Sequence, residues 1–443
     1  MTTHHAILDE QPALPKPNRA EAILLMIAGG FLLANFWALA MVRAETQPAH
    51  WTHFIVWVAL AVLGRWWLAR RLPAHDPLLF PLAMFLSGWG LLLIDRLAQP
   101  FAERQTVWLA VSVTSMLVTA TFPQPLRWLR SYRYTLLVSG LVLLFATIVL
   151  GRNPSGQAGA PELWLGVGSL FFQPSEPLKI ILVAFLASYL AEQYPALRAE
   201  RLSGNLRTPI LAARVTGPIL LMWGICIVIL VWQRDLGTAS LFFIVFLILL
   251  YTASGSILTL LSGIFLTLIA AFAAYHLFDV VALRVDIWLN PWPEADNRAY
   301  QIVQSLQAFA AGGILGQGIG QGWPTYVPVV HSDFVFAALA EEWGLIGVIV
   351  VIACLALLVM RGLYNTIRQN GHSFRALLGI GLSMLIGVQS LMIMGGVLKL
   401  IPLTGVTLPF LSYGGSSLLV SFVMIGFLLR LSASEEAGYA AHS

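Results

Sequence analysis

The chain of 443 residues is 58% hydrophobic and only 10% charged, whereas soluble domains carry about 25% charged residues. With a mean hydropathy of +0.80, this excludes an ordinary soluble enzyme. The net charge of +4, scattered over short loops, excludes a nucleic-acid partner. The two cysteines, Cys226 and Cys354, lie inside apolar runs and give neither a disulfide framework nor a metal spacing.

Residues 1–20 are polar and proline-punctuated and read as a disordered tail, in which His4 and His5 lack partners at ligand spacing. No short apolar core with a small-residue cleavage site follows. A membrane crossing needs about 20 apolar residues. Such runs recur at 21–42, 53–72, 77–95, 105–122, 134–150, 175–192, 209–232, 238–253, 257–278, 334–360, 376–398 and 408–429. The expected fold is all-α and polytopic, with about twelve transmembrane helices. Residues 431–443 form a second tail. Basic residues gather in alternate loops: Arg70 and Arg71; Arg127, Arg130 and Arg133; Arg198, Arg201 and Arg207; Arg361, Arg368 and Arg375. By the positive-inside rule both termini are cytoplasmic, and the long 279–333 loop before the tenth span faces outward.

That orientation puts every polar motif at a helix end on the outer side. Glu176 and Lys179, three apart at the start of a span, share a helical face and pair, or Lys179 reaches a pyrophosphate oxygen while Glu176 orients it. Asp235 stands ahead of Gly237 and Thr238, where it caps the next helix or enters a cavity. Gln301, Gln304 and Ser305 have the i, i+3, i+4 spacing of one face, suited to sugar hydroxyls or to solvent. The run GGILGQGIGQG has no preceding strand and no following GK[ST], so it is no nucleotide loop; a re-entrant path fits better. His331, Ser332 and Asp333 close the loop. Glu341 and Glu342 follow eight and nine residues on, about 12 Å along a helix, too far for a carboxylate dyad with Asp333. They are expected to bond neighbouring helices or to hold a cation. Lys399 ends a span, and Ser412, Gly414, Gly415 and Ser416 open the last one. Charges placed within or beside spans are costly and usually functional.

The blocks FQPSEPLKI, RDLGTAS, YQIVQSLQA, GGILGQGIG, HSDFVFAALAEEWG and PLTGVTLPFLSYGGSS, in this order and spacing, resemble the signature of the shape, elongation, division and sporulation family of RodA-like and FtsW-like proteins. The resemblance covers roughly residues 77–430. Members have ten spans, so it implies a ten-helix catalytic core preceded by two additional helices at 21–76. It also implies a peptidoglycan glycosyltransferase of the bacterial cytoplasmic membrane. Such an enzyme polymerises lipid II on the outer face with a class B penicillin-binding protein as partner. Asp333 matches the aspartate regarded as essential and is the expected general base, with a lipid pyrophosphate leaving. Glu176, Lys179, Asp235, Gln301, Gln304, Ser305, His331, Ser332, Lys399, Ser412, Gly414, Gly415 and Ser416 are the expected substrate-binding residues. A divalent cation, Mg or Mn, would suit a diphosphate leaving group, although no ligand cluster marks a site.

The chain departs from the family pattern at several points. Val329 replaces a glutamate, Leu163 stands where an arginine is expected beside Trp164, Ile393 replaces an asparagine, and Lys399 replaces a glycine. Arg234 stands where proline is common. Arg234 and Lys399 are expected to offset the lost cation in holding the pyrophosphate. The alternatives from other classes are a lipid II flippase and a non-catalytic scaffold that activates the transpeptidase. Elongation and division roles are not distinguished.

Overall fold

The computed structural model describes residues 19–43, 48–153, 163–167, 170–202, 220, 224, 235–367, 369 and 373–433. In chain order come α1 (Arg19–Arg43), α2 (Pro48–Arg71), α3 (Leu79–Leu97), α4 (Gln99–Thr121), α5 (Pro125–Ser131) and α6 (Arg133–Leu150). A small antiparallel hairpin follows, β1 (Leu165–Val167) with β2 (Leu170–Phe172), in register Leu165 to Phe172. Then come α7 (Ser175–Leu202), α8 (Leu236–Ser254), α9 (Ile257–Leu277), α10 (Asp279–Leu289), α11 (Tyr300–Gly312), α12 (Val335–Ile367), α13 (Ser373–Val397) and α14 (Gly415–Ala433). The expected span 209–232, apart from Leu220 and Gly224, lies outside the described residues, as do Glu162, Arg234, Cys226, His4 and His5.

Among the described residues nine helices are long and apolar enough to cross a membrane. They become ten when α4 and α5, bent by 86° at their junction, count as one crossing. This all-α, multi-pass architecture is the one expected, while the count of twelve is not reached among these residues. α3, α13 and α14 are mostly buried, and α9 is almost wholly uncovered, as a lipid-facing helix is. α14 packs most extensively on α4, α12 on α13, and α13 on α7 and α8. α1 and α2 lie against α3 and α4.

Two expectations need correction. The last span does not begin at 408: α14 starts at Gly415, and the chain before it is irregular. Pro402 and Pro409 lack an N–H to donate, and Lys399, Gly405 and Phe410 take left-handed φ of 59°, 71° and 67°. Apolar composition alone had made this stretch look like membrane. The 279–333 segment, in turn, is not plain loop, because it holds α10, α11 and 3-10 turns at Trp292–Glu294 and Pro324–Tyr326.

α12 is broken at Gly344, which takes φ 62° and ψ −163°. A break inside a membrane helix frees backbone groups that must find partners, and here the glycine-rich run supplies them. Gln317 and Gly318 donate their N–H groups to the carbonyls of Glu341 and Glu342 (2.8 and 3.0 Å), while Leu345 and Ile346 donate to Gly313 and Ile314 (3.0 and 3.2 Å). The run is therefore stitched into the break. A Cβ at residue 344 would lie 2.3 Å from Gly316 N and 2.5 Å from Ile314 O. Gly344→Ala is expected to cost about 1–3 kcal/mol, read as a lower melting temperature of the purified protein in detergent; an unchanged value would contradict the stitched break.

Candidate active site

The irregular stretch 398–414 is the hub of the site. Together with the first turn of α14, it exchanges hydrogen bonds with five other parts of the chain. Arg284 Nη1 of α10 donates to the Thr404 carbonyl at 3.4 Å. Gln389 Nε2 of α13 donates to the Thr407 carbonyl at 2.8 Å. Ser412 Oγ donates to the Ser332 carbonyl and accepts from Leu408 N at 2.9 Å. Ser416 Oγ accepts from Gln173 N at 3.0 Å, and Ser417 Oγ meets Thr407 Oγ1 at 2.7 Å. Gln105 of α4 brackets the turn, with Nε2 on the Ser412 carbonyl and Oε1 on Gly414 N, both at 3.4 Å. The N-terminal ends of α4, α7, α8, α12 and α14 are gathered around this hub, and helix N-termini favour anions.

Two charged groups of residues lie on the hub. In the first, the i, i+3 spacing in α7 does what helical geometry predicts: Lys179 Nζ donates to Glu176 Oε1 at 2.7 Å and to Gln389 Oε1 at 3.0 Å. Lys179 is only 1% exposed, so the pair is enclosed by protein. In the second, Asp235 accepts from Thr238 N at 3.1 Å and caps α8, while Asp333 accepts from Ser332 Oγ at 3.1 Å. Phe334, not Asp333, holds the cap position of α12, since its carbonyl takes the Ala337 and Ala338 N–H groups. The Asp333 carboxylate thus remains outside the helix frame.

Arg284, bonded to the hub at Thr404, feels the charges of both Asp235 and Asp333. Burial pushes the Asp333 carboxyl above the usual carboxylate range, against the pull of the Ser332 hydroxyl and the Arg284 guanidinium. Burial likewise raises Asp235, opposed by its bonds to Thr238 and by Lys179. His331 is lowered by burial, which favours its neutral imidazole. Its ring lies 5.0 Å from Phe101 and 5.7 Å from Tyr413, and its carbonyl takes Tyr413 N at 2.8 Å.

The structure places the other expected residues less uniformly. Ser305 is fully buried and donates to the Val397 carbonyl at 3.1 Å, so it turns inward, while Gln301 and Gln304 on α11 stay partly exposed. Lys399 is grouped with the end of α10: Nζ is 3.5 Å from the Leu289 carbonyl, and the Trp288 indole donates to the Lys399 carbonyl at 3.2 Å. Gly415 serves close packing, since a Cβ there would lie 2.2 Å from the Trp108 ring; Gly414 has ordinary room. Of the departures, Ile393 is core, and Val329 holds a β-branched side chain at φ 56°. Glu341 Oε1 accepts Trp323 N at 2.6 Å and Glu342 Oε1 accepts Arg96 Nε at 3.0 Å, which joins neighbouring segments as expected. Among the described residues no three His, Cys, Asp or Glu side chains stand together as a metal cage.

The sequence reading missed Arg284, Gln389, Thr407 and Gln105. Gln389 carried a signal, as an amide within the apolar run of α13. Arg284 was one cation in the 279–333 segment, and nothing local marked it.

The chain is similar to several known proteins. The FtsW, RodA and SpoVE family model, described as cell cycle protein, matches residues 77–437. Over 438 aligned residues the chain is 35% identical to the peptidoglycan glycosyltransferase RodA of Mycobacterium bovis, covering 95% of this chain and 92% of that protein. It is 31% identical to the probable peptidoglycan glycosyltransferase FtsW of Tolumonas auensis, over 84% of this chain and 96% of that one. A chain solved in work on the structural coordination of polymerization and crosslinking by a peptidoglycan synthase complex superposes with a TM-score of 0.67 at 26% identity. It covers 82% of this chain and 98% of that one.

Proposed function

We propose that this chain, which belongs to the FtsW, RodA and SpoVE family and is a multi-pass membrane peptidoglycan glycosyltransferase, polymerises lipid II on the outer face of the bacterial cytoplasmic membrane. Both termini then lie in the cytoplasm, in keeping with the basic loops. The observation that carries the reading is the hub at 404–414, to which Arg284, the Gln389 that holds the Lys179–Glu176 pair, and the Ser332–Asp333 end of the glycine-rich segment are each hydrogen-bonded.

Glycan extension joins a sugar hydroxyl to an anomeric carbon. The Asp333 carboxylate takes the hydroxyl proton as the new C–O bond forms, and the bond from the anomeric carbon to the lipid pyrophosphate oxygen breaks. A base raised above the ordinary carboxylate range is a better proton acceptor once ionised. The leaving diphosphate carries the departing electron pair as negative charge. Arg284, Lys179 and the gathered helix N-termini supply the opposing field. Lys179 meets that anion by loosening its contact with Glu176, because in the enclosed pair it has almost no free surface. Ser332 donates to the base itself, and Ser412 holds the Ser332 carbonyl just before it.

A class B penicillin-binding protein is the proposed partner, supported by the likeness to a chain solved within a peptidoglycan synthase complex. The test is polymerisation of purified lipid II by the full chain in lipid discs, alone and with a cognate class B partner. Glycan strands are expected in at least the second case. No polymer in either would overturn the transferase reading and leave a flippase or scaffold.

A further inference from the structure

α1 and α2 precede the family-wide part of the chain, yet their polar side chains converge on the junction between α3 and α4. Asp95, in the last turn of α3 and 1% exposed, takes Arg43 Nη1 on both carboxylate oxygens at 3.3 Å. It also meets His50 Nδ1 at 2.5 Å. Arg43 Nη2 donates to the Asp95 carbonyl as well. His50 Nε2 lies 2.8 Å from the Phe36 carbonyl, so one imidazole ties α1, α2 and α3 together. Beyond the junction, His53 Nδ1 lies 2.8 Å from Thr106 Oγ1 in α4.

Each of these anchor points sits one residue from a side chain that reaches toward the site. Next to Asp95, Arg96 holds Glu342 at 3.0 Å and the carbonyls of Gly322 and Gly320 at 3.1 and 3.4 Å. It thereby clamps the glycine-rich run against the break in α12. Next to Thr106, Gln105 brackets Ser412 and Gly414. α1 also touches the break directly: the Trp343 indole donates to Asn35 Oδ1 at 3.0 Å, and a Cβ on Gly320 would lie 3.0 Å from Val42. Apolar contacts would hold two lipid-embedded helices in place without charge. A buried ion pair adds little net stability over such contacts, yet it is costly to break and fixes geometry.

We infer that the N-terminal helix pair is a built-in brace, in which Arg43, His50 and His53 are positioning residues. They hold the α3–α4 junction and, through Arg96 and Gln105, the segment that carries His331 and Asp333. The brace itself stands on geometry alone; its consequence for turnover rests on the polymerase reading above.

The test uses the full chain in lipid discs, with His50→Ala, Arg43→Ala, Arg43→Lys and Arg96→Gln, read by deuterium uptake and by lipid II polymerisation. The expected result for His50→Ala is faster exchange confined to residues 313–333, with kcat lower by about tenfold and KM little changed, as misplacement of a reacting group gives. Arg43→Lys should keep most of the protection that Arg43→Ala loses. His50→Ala and Arg96→Gln should be non-additive, because they cut one relay. If His50→Ala does not fold, Arg43→Ala, at the half-buried end of the same network, is read in its place. Unchanged exchange at 313–333, or additive losses in the double variant, would overturn the brace. A wild type inactive on lipid II would overturn the polymerase reading while the exchange data still decide the brace.

Discussion

Asp333→Asn is expected to lower polymerisation by about a hundred- to ten-thousandfold, the range that removing a general base gives, while the protein stays folded. The pH behaviour makes the prediction specific. Burial raises the Asp333 carboxyl above its ordinary value, so wild-type activity should fall as pH drops through that raised value and not through the ordinary aspartate value near 4. Stability runs the opposite way. A carboxyl whose folded-state pKa exceeds its unfolded one contributes stability that is fully present below the unfolded value and lost as pH rises through the folded one. Once ionised, Asp333 therefore costs stability. The asparagine variant should be inactive yet at least as resistant to heat as the wild type, a common trade at catalytic positions. Initial rates across the acidic limb and melting temperatures of both proteins would check it. Substantial activity in the variant would remove Asp333 as the base; a large loss of heat resistance would make it a structural residue.

How much of this was legible in the sequence depended on the range of the interaction. The Glu176–Lys179 contact follows from i, i+3 geometry, and Asp235 caps α8 because a short acceptor precedes a helix start. Nine long apolar helices among the described residues followed from apolar runs of sufficient length. Where composition and backbone chemistry conflicted, composition misled: 408–414 is apolar, yet Pro409 and the left-handed Phe410 keep it out of a helix. Helical spacing placed Gln301, Gln304 and Ser305 on one face of α11 but could not say that Ser305 abuts the end of α13. Partners distant along the chain left no local trace. Arg284 joins Asp333 only through the fold, and Glu342 is met by an arginine 246 positions away. The glycine-rich run was read as re-entrant, but its purpose, filling a helix break, needed the geometry of Gly344.

Replacing Lys179 alone should be more damaging to folding than replacing the whole pair, and this separates its two roles. Lys179→Ala leaves Glu176 as a buried carboxylate without its cation, which costs about 3–5 kcal/mol in comparable buried pairs. Loss of activity in that variant would then carry no information about substrate. In the double variant Glu176→Gln with Lys179→Met both charges leave together, volume is nearly kept, and such exchanges are close to neutral for stability. Gln389 still bonds Thr407 through Nε2, so the hub retains its scaffold on that side. If Lys179 opposes the charge of the leaving diphosphate, the double variant should fold with near-wild-type heat resistance and lose about a hundred- to a thousandfold in turnover, the scale of one electrostatic contact made in the transition state. If the pair only lets two charges sit inside the protein, the double variant should polymerise lipid II at close to the wild-type rate. That outcome would leave Arg284 and the helix N-termini to hold the diphosphate. Melting curves and single-turnover rates on the same preparations distinguish the two.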